Sequence, residues 1–276
     1  MSQSKFAADG SVVLITGASR GIGRATASLL ARDGYRVFGT SRSGTPEAGD
    51  RFEMLPLDVT SDDSVRACVS SVMSRCGRID VLVNNAALAL LGAIEEVSIE
   101  DARAVFEANF FGLARMTNAV LPSMRQRKQG RIINFGSLAA FLPVPYHAYL
   151  SASKAAVVTY SEALRLEVRP LGIHVSVVEP GFVATHPGDK FEPLLGKRCI
   201  ADYAEEKRRA LAVFREGQAS GADPQLVAET VRDILRSPAP ACHYPVGAEK
   251  WYARFAQVLP ASLIESMIVH RLGLAH

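Results

Sequence analysis

Val12-Val13-Leu14-Ile15-Thr16-Gly17-Ala18-Ser19-Arg20-Gly21-Ile22-Gly23 is the stretch that decides the fold. Its first part is apolar and β-branched, which reads as a short strand buried on both faces. Its second part spaces three glycines ahead of a helical pattern that runs to Arg32. At such a strand–turn–helix junction one glycine permits the tight turn. Another lets the backbone approach a diphosphate, and the third lets helix and strand pack closely. The helix start then presents free N–H groups and a positive dipole end to the anion. Gly17, Ser19, Arg20, Gly21, Ile22 and Gly23 are therefore expected to cradle the diphosphate of a dinucleotide.

Working outward, short β-branched runs alternate with longer amphipathic ones. Further strands are expected at 36–40, 52–57, 81–84, 131–135 and 174–178. Helices are expected from Thr60, with Asp63 at its capping-box position, from Ser98, with Asp101 three residues on, and over 149–168. This β–α alternation predicts an α/β fold: a single doubly wound Rossmann-type domain over 1–276, with a central parallel sheet and helices on both faces. Two segments break the rhythm. Residues 186–221 lack a strand signal and are rich in charge, as expected of an insertion that covers a ligand. Residues 251–274 place Leu259, Leu263, Ile264, Met267, Ile268 and Leu272 at helical spacing. That pattern suits a helix packed on its own core or on a second subunit, and less well a membrane-surface helix.

The end of the second strand selects the dinucleotide. An acidic residue there would accept hydrogen bonds from the adenosine ribose and favour NAD. Here the strand ends Gly39-Thr40-Ser41-Arg42, without a carboxylate. Arg42 and Arg20 can both reach that ribose, and a guanidinium matches a 2′-phosphate. The expected cofactor is NADP, with Ser41 and Arg42 at its adenosine end.

Composition narrows the remaining classes. A net charge of +3, from 31 basic and 28 acidic side chains, gives no electrostatic footprint for nucleic acid. The basic run Arg125-Gln126-Arg127-Lys128 reads as a solvated helix end stopped by Gly130. Cys68, Cys76, Cys199 and Cys242 are scattered, without a disulfide or zinc spacing, so no metal is expected. No apolar run is long enough for a membrane span, and a reducing cytoplasm is the expected compartment.

Several motifs in order now resemble the short-chain dehydrogenase/reductase family over nearly the whole chain. They are the glycine turn, Leu57-Asp58-Val59-Thr60, Asn84-Asn85-Ala86-Ala87, Asn109-Phe110-Phe111-Gly112, Gly136-Ser137, Ser151-Ala152-Ser153-Lys154 and Pro180-Gly181-Phe182-Val183-Ala184-Thr185. The resemblance implies that Asp58 and Val59 border the adenine and that Asn85 and Ala86 shape the sheet edge under the cofactor. It implies that Pro180, Gly181, Val183 and Thr185 hold the nicotinamide amide. Ala87 stands where the family has glycine. The resemblance also implies that Ser137 binds the substrate oxygen and Lys154 holds the nicotinamide ribose. Asn109 would support a water chain to that lysine. A homodimer or homotetramer follows by the same resemblance, with the helix over 149–168 at one interface.

One position departs from the pattern. The family places tyrosine four residues before the lysine, because i and i+4 share a helix face. Four before Lys154 is Leu150, and the nearest phenol is Tyr149. At about 100° per residue, five positions turn Tyr149 about 140° from the lysine face. Tyr149 can serve as the acid by two routes: a position ahead of the first regular turn, or a π-bulge that brings i and i+5 together. Tyr146 is a further candidate. Beside the site lie Leu138, Ala139, Ala140, Phe141, Leu142, Tyr146 and Leu150. They predict an apolar pocket for a bulky hydrophobic ketone or alcohol. The expected function is NADP-dependent interconversion of a ketone and a secondary alcohol. The alternatives are non-redox chemistry on the same fold (cyclisation, isomerisation or elimination) or a cofactor-binding pseudoenzyme.

Overall fold

The computed structural model describes residues 10–47, 49–184, 194–248, 251 and 258–274. Seven strands build the main sheet: β1 (Val12–Ile15), β2 (Arg36–Ser41), β3 (Glu53–Pro56), β4 (Val81–Asn84), β6 (Gly130–Phe135), β7 (Ile173–Pro180) and β9 (His243–Val246). They lie in the order β3-β2-β1-β4-β6-β7-β9, and every pairing is parallel. Successive strands are added on one side of β1 up to β3 and on its other side from β4 onward, so the winding reverses between β1 and β4. That switch point opens a crevice at the carboxyl ends of the strands, where ligands of such sheets bind. Two short strands, β5 (Leu90–Leu91) and β8 (Leu194–Leu195), pair apart from the main sheet.

Alternation along the strands divides the core between two helix layers. Val13 and Ile15 pack with α1 (Gly21–Arg32) and α7 (Pro224–Arg236), through Ala27 and Leu30 on one helix and Val227, Val231, Ile234 and Leu235 on the other. Val12 and Leu14 face the opposite way. They pack with α2 (Asp62–Cys76), α4 (Gly112–Arg127) and α5 (Ala148–Val168), through Val69, Val72, Met116, Val120, Leu164 and Val168. Among the described residues, three further α-helices are α3 (Ile99–Phe106), α6 (Ala201–Ala219) and α8 (Ala261–Leu272).

Several expectations need correction. Ser61, not Thr60, caps α2, its hydroxyl accepting from Ser64 N; Thr60 instead donates from N and Oγ1 to Asp58 Oδ1 at 2.9 and 2.7 Å. Ser98 does cap α3, accepting from Asp101 N at 3.0 Å. Helix α4 stops at Lys128, which takes the left-handed conformation at φ 50°, while Gly130 already opens β6. Arg127 is not merely solvated, since its guanidinium bonds Asp80 Oδ1 and Ile79 O at 2.6 Å each. Segment 186–221 does contain a strand, the two-residue β8, and its larger part is helix α6. The stripe expected over 251–274 divides, and residues 252–257 lie outside the described ones. Ile264, Ile268 and Leu272 are turned inward on α8, while Leu259, Leu263 and Met267 are exposed. Arg209 of α6 donates to Gly273 O at 3.1 Å, joining the two helices.

A buried polar chain fixes α5 on the sheet. Asn84 Nδ2 donates to Asn134 Oδ1 at 2.9 Å, and Asn134 Nδ2 donates to Ser161 Oγ at 2.8 Å. Ser161 Oγ in turn donates to Val157 O at 2.6 Å. Replacing Asn134 with alanine removes one hydrogen bond from each of two buried partners, leaving Asn84 Nδ2 only Thr117 Oγ1 at 3.3 Å and Ser161 Oγ only Val157 O. Denaturant unfolding of Asn134→Ala is expected to show a loss of about 1–3 kcal/mol.

Candidate active site

The loop after β1 is held by the end of β4. Asn85 Nδ2 donates to both Thr16 O and Gly17 O at 2.9 Å, and Thr16 Oγ1 accepts from Asn85 N and Ala86 N at 3.0 Å. Gly17 has φ +69°, a conformation few side chains adopt. A Cβ on Gly23 would lie 2.1 Å from Gly17 O, so only glycine lets α1 start this close to the strand. These features form a cradle of the size and polarity that a diphosphate requires. There are no acidic residues in the first turn of α1 to repel it.

From this cradle runs one cleft of about 1490 Å³. That exceeds the roughly 300–1,000 Å³ of a pocket for one small ligand and suits a dinucleotide together with a substrate. The cleft brings together Gly17, Ser19, Arg20, Gly21, Ile22, Gly23, Ser41, Arg42, Asp58, Val59, Asn85, Ala86, Ser137, Lys154, Pro180, Gly181 and Val183. Thr185 lies outside the described residues. The hydrogen bonds from Thr60 hold the Asp58 carboxyl below its ordinary range, so it is ionised there.

At the other end, Ser137 follows β6. Its hydroxyl accepts from Ala139 N at 3.1 Å and donates to Pro180 O at 3.4 Å. Lys154 is buried on α5, and Nζ donates to Phe135 O at 2.7 Å. Burial lowers its pKa to about 8. Asn109 sits in a π turn, Glu107–Phe111, between α3 and α4. Its side chain is spent on support: Oδ1 accepts from Leu88 N at 2.7 Å, and Nδ2 donates to Leu88 O and Ser153 Oγ at 3.0 Å. It lies behind the cleft wall rather than in it.

Leu150 lines the cleft and Tyr149 does not. Tyr149 packs instead against Leu90, Val97, Ala102 and Val105. Neither route that would redirect it is taken. Helix α5 is already regular from Ala148, and it carries no π turn. Tyr146, at φ 61°, packs among Leu91, Ala210 and Phe214 and is also absent from the cleft wall. Of the other residues expected beside the site, Leu138, Ala139 and Leu142 line the cleft, whereas Ala140 and Phe141 do not.

Sequence reasoning missed the far wall. Leu91, Val144, His147, Leu195, Leu211 and Phe214 line it, with Arg215 and Gln218. The His147 ring stacks on Phe214 at 4.3 Å, and burial pulls its pKa down to about 4. Spacing held one usable signal, since His147, Leu150 and Lys154 fall at i, i+3 and i+7, on one helix face.

Fold and cleft together define a nucleotide-binding α/β protein of the doubly wound type. The family profile described as short chain dehydrogenase matches residues 11–193. The chain belongs to that family of oxidoreductases, which work with NAD or NADP. It is 37% identical to 3-ketodihydrosphingosine reductase of Bacteroides thetaiotaomicron, over 92% of this chain and 95% of that protein. It is 34% identical to human retinol dehydrogenase 8, over 83% of this chain and 78% of that one. Among solved structures, a short-chain dehydrogenase from Streptomyces avermitilis superposes with a TM-score of 0.82 at 32% identity, covering 95% of each chain. Among the described residues, no helix is long and apolar enough to cross a membrane, and no group of three His, Cys, Asp or Glu could hold a metal.

Gly23→Ala tests the cradle. The added methyl meets backbone and forces the loop outward, at a cost of about 1–3 kcal/mol. Calorimetric titration is expected to show dinucleotide affinity falling at least about tenfold, equal to roughly 1.4 kcal/mol.

Proposed function

We propose that the chain is an NADP(H)-dependent oxidoreductase that interconverts a ketone and a secondary alcohol on a bulky apolar substrate. The observation that carries this reading is the single cleft. It joins the arginine-bearing adenosine end to Ser137 and Lys154, and then to the apolar wall of Leu91, Val144, Leu150, Leu211 and Phe214. The residues expected for the cofactor, Thr185 apart, meet along its length. When bound, the coenzyme supplies the hydride or takes it up.

The chain's own residues supply the rest. The glycine turn and the start of α1 hold the diphosphate, and Asp58 and Val59 flank the adenine. Ser41, Arg42 and Arg20 favour a ribose 2′-phosphate, since no carboxylate follows β2 to bond a free hydroxyl. Pro180, Gly181 and Val183 line the cleft where the nicotinamide would lie. Lys154 holds the nicotinamide ribose, and Ser137 hydrogen-bonds the substrate oxygen. Asn109 keeps the Leu88 loop and α5 together. The relatives named for 3-ketodihydrosphingosine and retinol support an apolar substrate. Leu166, 71% exposed on α5, and Phe111, 48% exposed before α4, support a homodimer or homotetramer joined along these helices.

One observation favours a second reading. Leu150 has no proton to give, so the site could serve non-redox chemistry. Absorbance assays of NADPH consumption with decalone and tetralone separate the two. Turnover supports the oxidoreductase, and binding without turnover of any hydrophobic ketone overturns it.

Coenzyme choice makes its own prediction. A hydrogen bond to a charged group is worth about 1.5–3 kcal/mol. Arg42→Ala is therefore expected to weaken NADPH roughly 10- to 100-fold. NADH, which lacks the phosphate, should change by less than about threefold. Equal losses for both would remove the basis for NADP.

A further inference from the structure

Reduction of a ketone needs a proton as well as a hydride, and the helix face that should present the acid presents Leu150. The cleft residues at this end able to pass on a proton are Ser137, His147 and Lys154, with Glu107 and Arg215 nearby in the wall. Glu107 is ion-paired to Arg115 and accepts rather than donates. A guanidinium such as Arg215 does not deprotonate in proteins. The Ser137 hydroxyl is a weak acid already engaged with Pro180 O. His147 is desolvated against Phe214 and is neutral at neutral pH. Lys154 lies one helical turn after Leu150 on the same face, and its bond to Phe135 O leaves two further N–H donors, one for the ribose assigned to it above and one for a substrate oxygen. Leucine is several bonds shorter than tyrosine, so a substrate oxygen can settle deeper, toward Nζ.

We propose that Lys154 is itself the acid: its ammonium group delivers the proton to the substrate oxygen, in place of a phenol at position 150. This rests on the oxidoreductase reading above. The carbonyl carbon accepts the hydride of the reduced coenzyme, which is thereby oxidised, and the C=O π pair moves onto oxygen. One N–H bond of Lys154 breaks as the O–H bond forms. The resulting amine still bonds Phe135 O and takes its proton back from solvent. In alcohol oxidation the amine acts as the base.

Acidity supports the geometry. Burial brings Lys154 to about 8, near the pH at which an acid both holds and releases its proton. The charged groups on the elements packed against α5 are engaged elsewhere or lie at the surface. Glu179 of β7 bonds His243 Nδ1 at 2.7 Å, Asp101 of α3 pairs with Lys197 at 3.0 Å, and Glu107 pairs with Arg115. Arg103 of α3 and Arg169 beyond α5 are exposed. Arg131 of β6 bonds Ile234 O and Ser237 O, and His174 lies at the opposite end of β7 from the site.

Two readouts test the role. In the protein without coenzyme, acetylation of Lys154 by acetic anhydride, followed by peptide mass spectrometry, is expected to reach half its maximal rate near pH 8. A midpoint at the ordinary lysine value, near 10.4, would overturn the proposal. With NADPH and decalone, kcat for reduction should be level below about pH 8 and fall tenfold per pH unit above it. Lys154→Arg keeps the charge but does not titrate. It should bind NADPH within about tenfold of wild type while kcat drops at least about 100-fold. Added ethylamine should restore turnover to Lys154→Ala, which a purely structural lysine would not allow. Turnover that survives Lys154→Arg within tenfold, or a loss in Tyr149→Phe or His147→Phe matching that in Lys154→Arg, overturns the role of Lys154 alone. A wild-type chain that binds NADPH yet reduces no ketone overturns the oxidoreductase reading itself.

Discussion

One amide group, Nδ2 of Asn85, bonds the carbonyl oxygens of Thr16 and Gly17 together, and the working edge of the sheet depends on that contact. Parallel strands end with their carbonyl groups facing the crevice, so something must satisfy them without filling it. Here the tip of β4 does so for the tip of β1, across the switch point. The same contact holds the glycine turn in the shape that exposes the start of α1. Gly17 and Gly23 are the corollary, because any side chain at either would meet that packed backbone.

Helix α5 then acts as a ruler for the chemistry. Its regularity from Ala148 decides which residues face the cleft and which face α3. His147, Leu150 and Lys154 take the first face, and Tyr149 takes the second, against Leu90 and Val105. A phenol one residue from the required position is as absent from the site as one on another element. The chain does contain a π turn, but it falls at Asn109, where it lets one side chain brace both the Leu88 loop and α5.

How much of this was legible in sequence follows from how local each cause is. The inner strands were visible because burial on both faces demands continuous apolar runs, as in Val81-Leu82-Val83. The glycine turn and the lysine were visible because their geometry is set within a few residues. Strand β9 was not, since Pro245 and the prolines before it mask an edge strand whose partner β7 lies far away in sequence. The far wall was invisible for the same reason. His147 meets Phe214 only because α6 folds back over the crevice, and no local pattern announces a stacking pair. The arginine at 127 read as surface because its acceptors, Asp80 and Ile79, lie on another element.

A single physical cause ties the chemistry to substrate choice. The apolar wall that would accept a bulky substrate also withholds water from the ionisable groups within it. Desolvation disfavours the charged form of each. It holds the His147 ring neutral and draws Lys154 down to about 8. Placing leucine at 150 adds to that dryness while removing a proton carrier. A hydrated pocket with the same leucine would leave the lysine an ordinary cation, reluctant to give up its proton. Leu150 removes the phenol, and the burial that weakens the ammonium's hold on its proton suits Lys154 to take over that role.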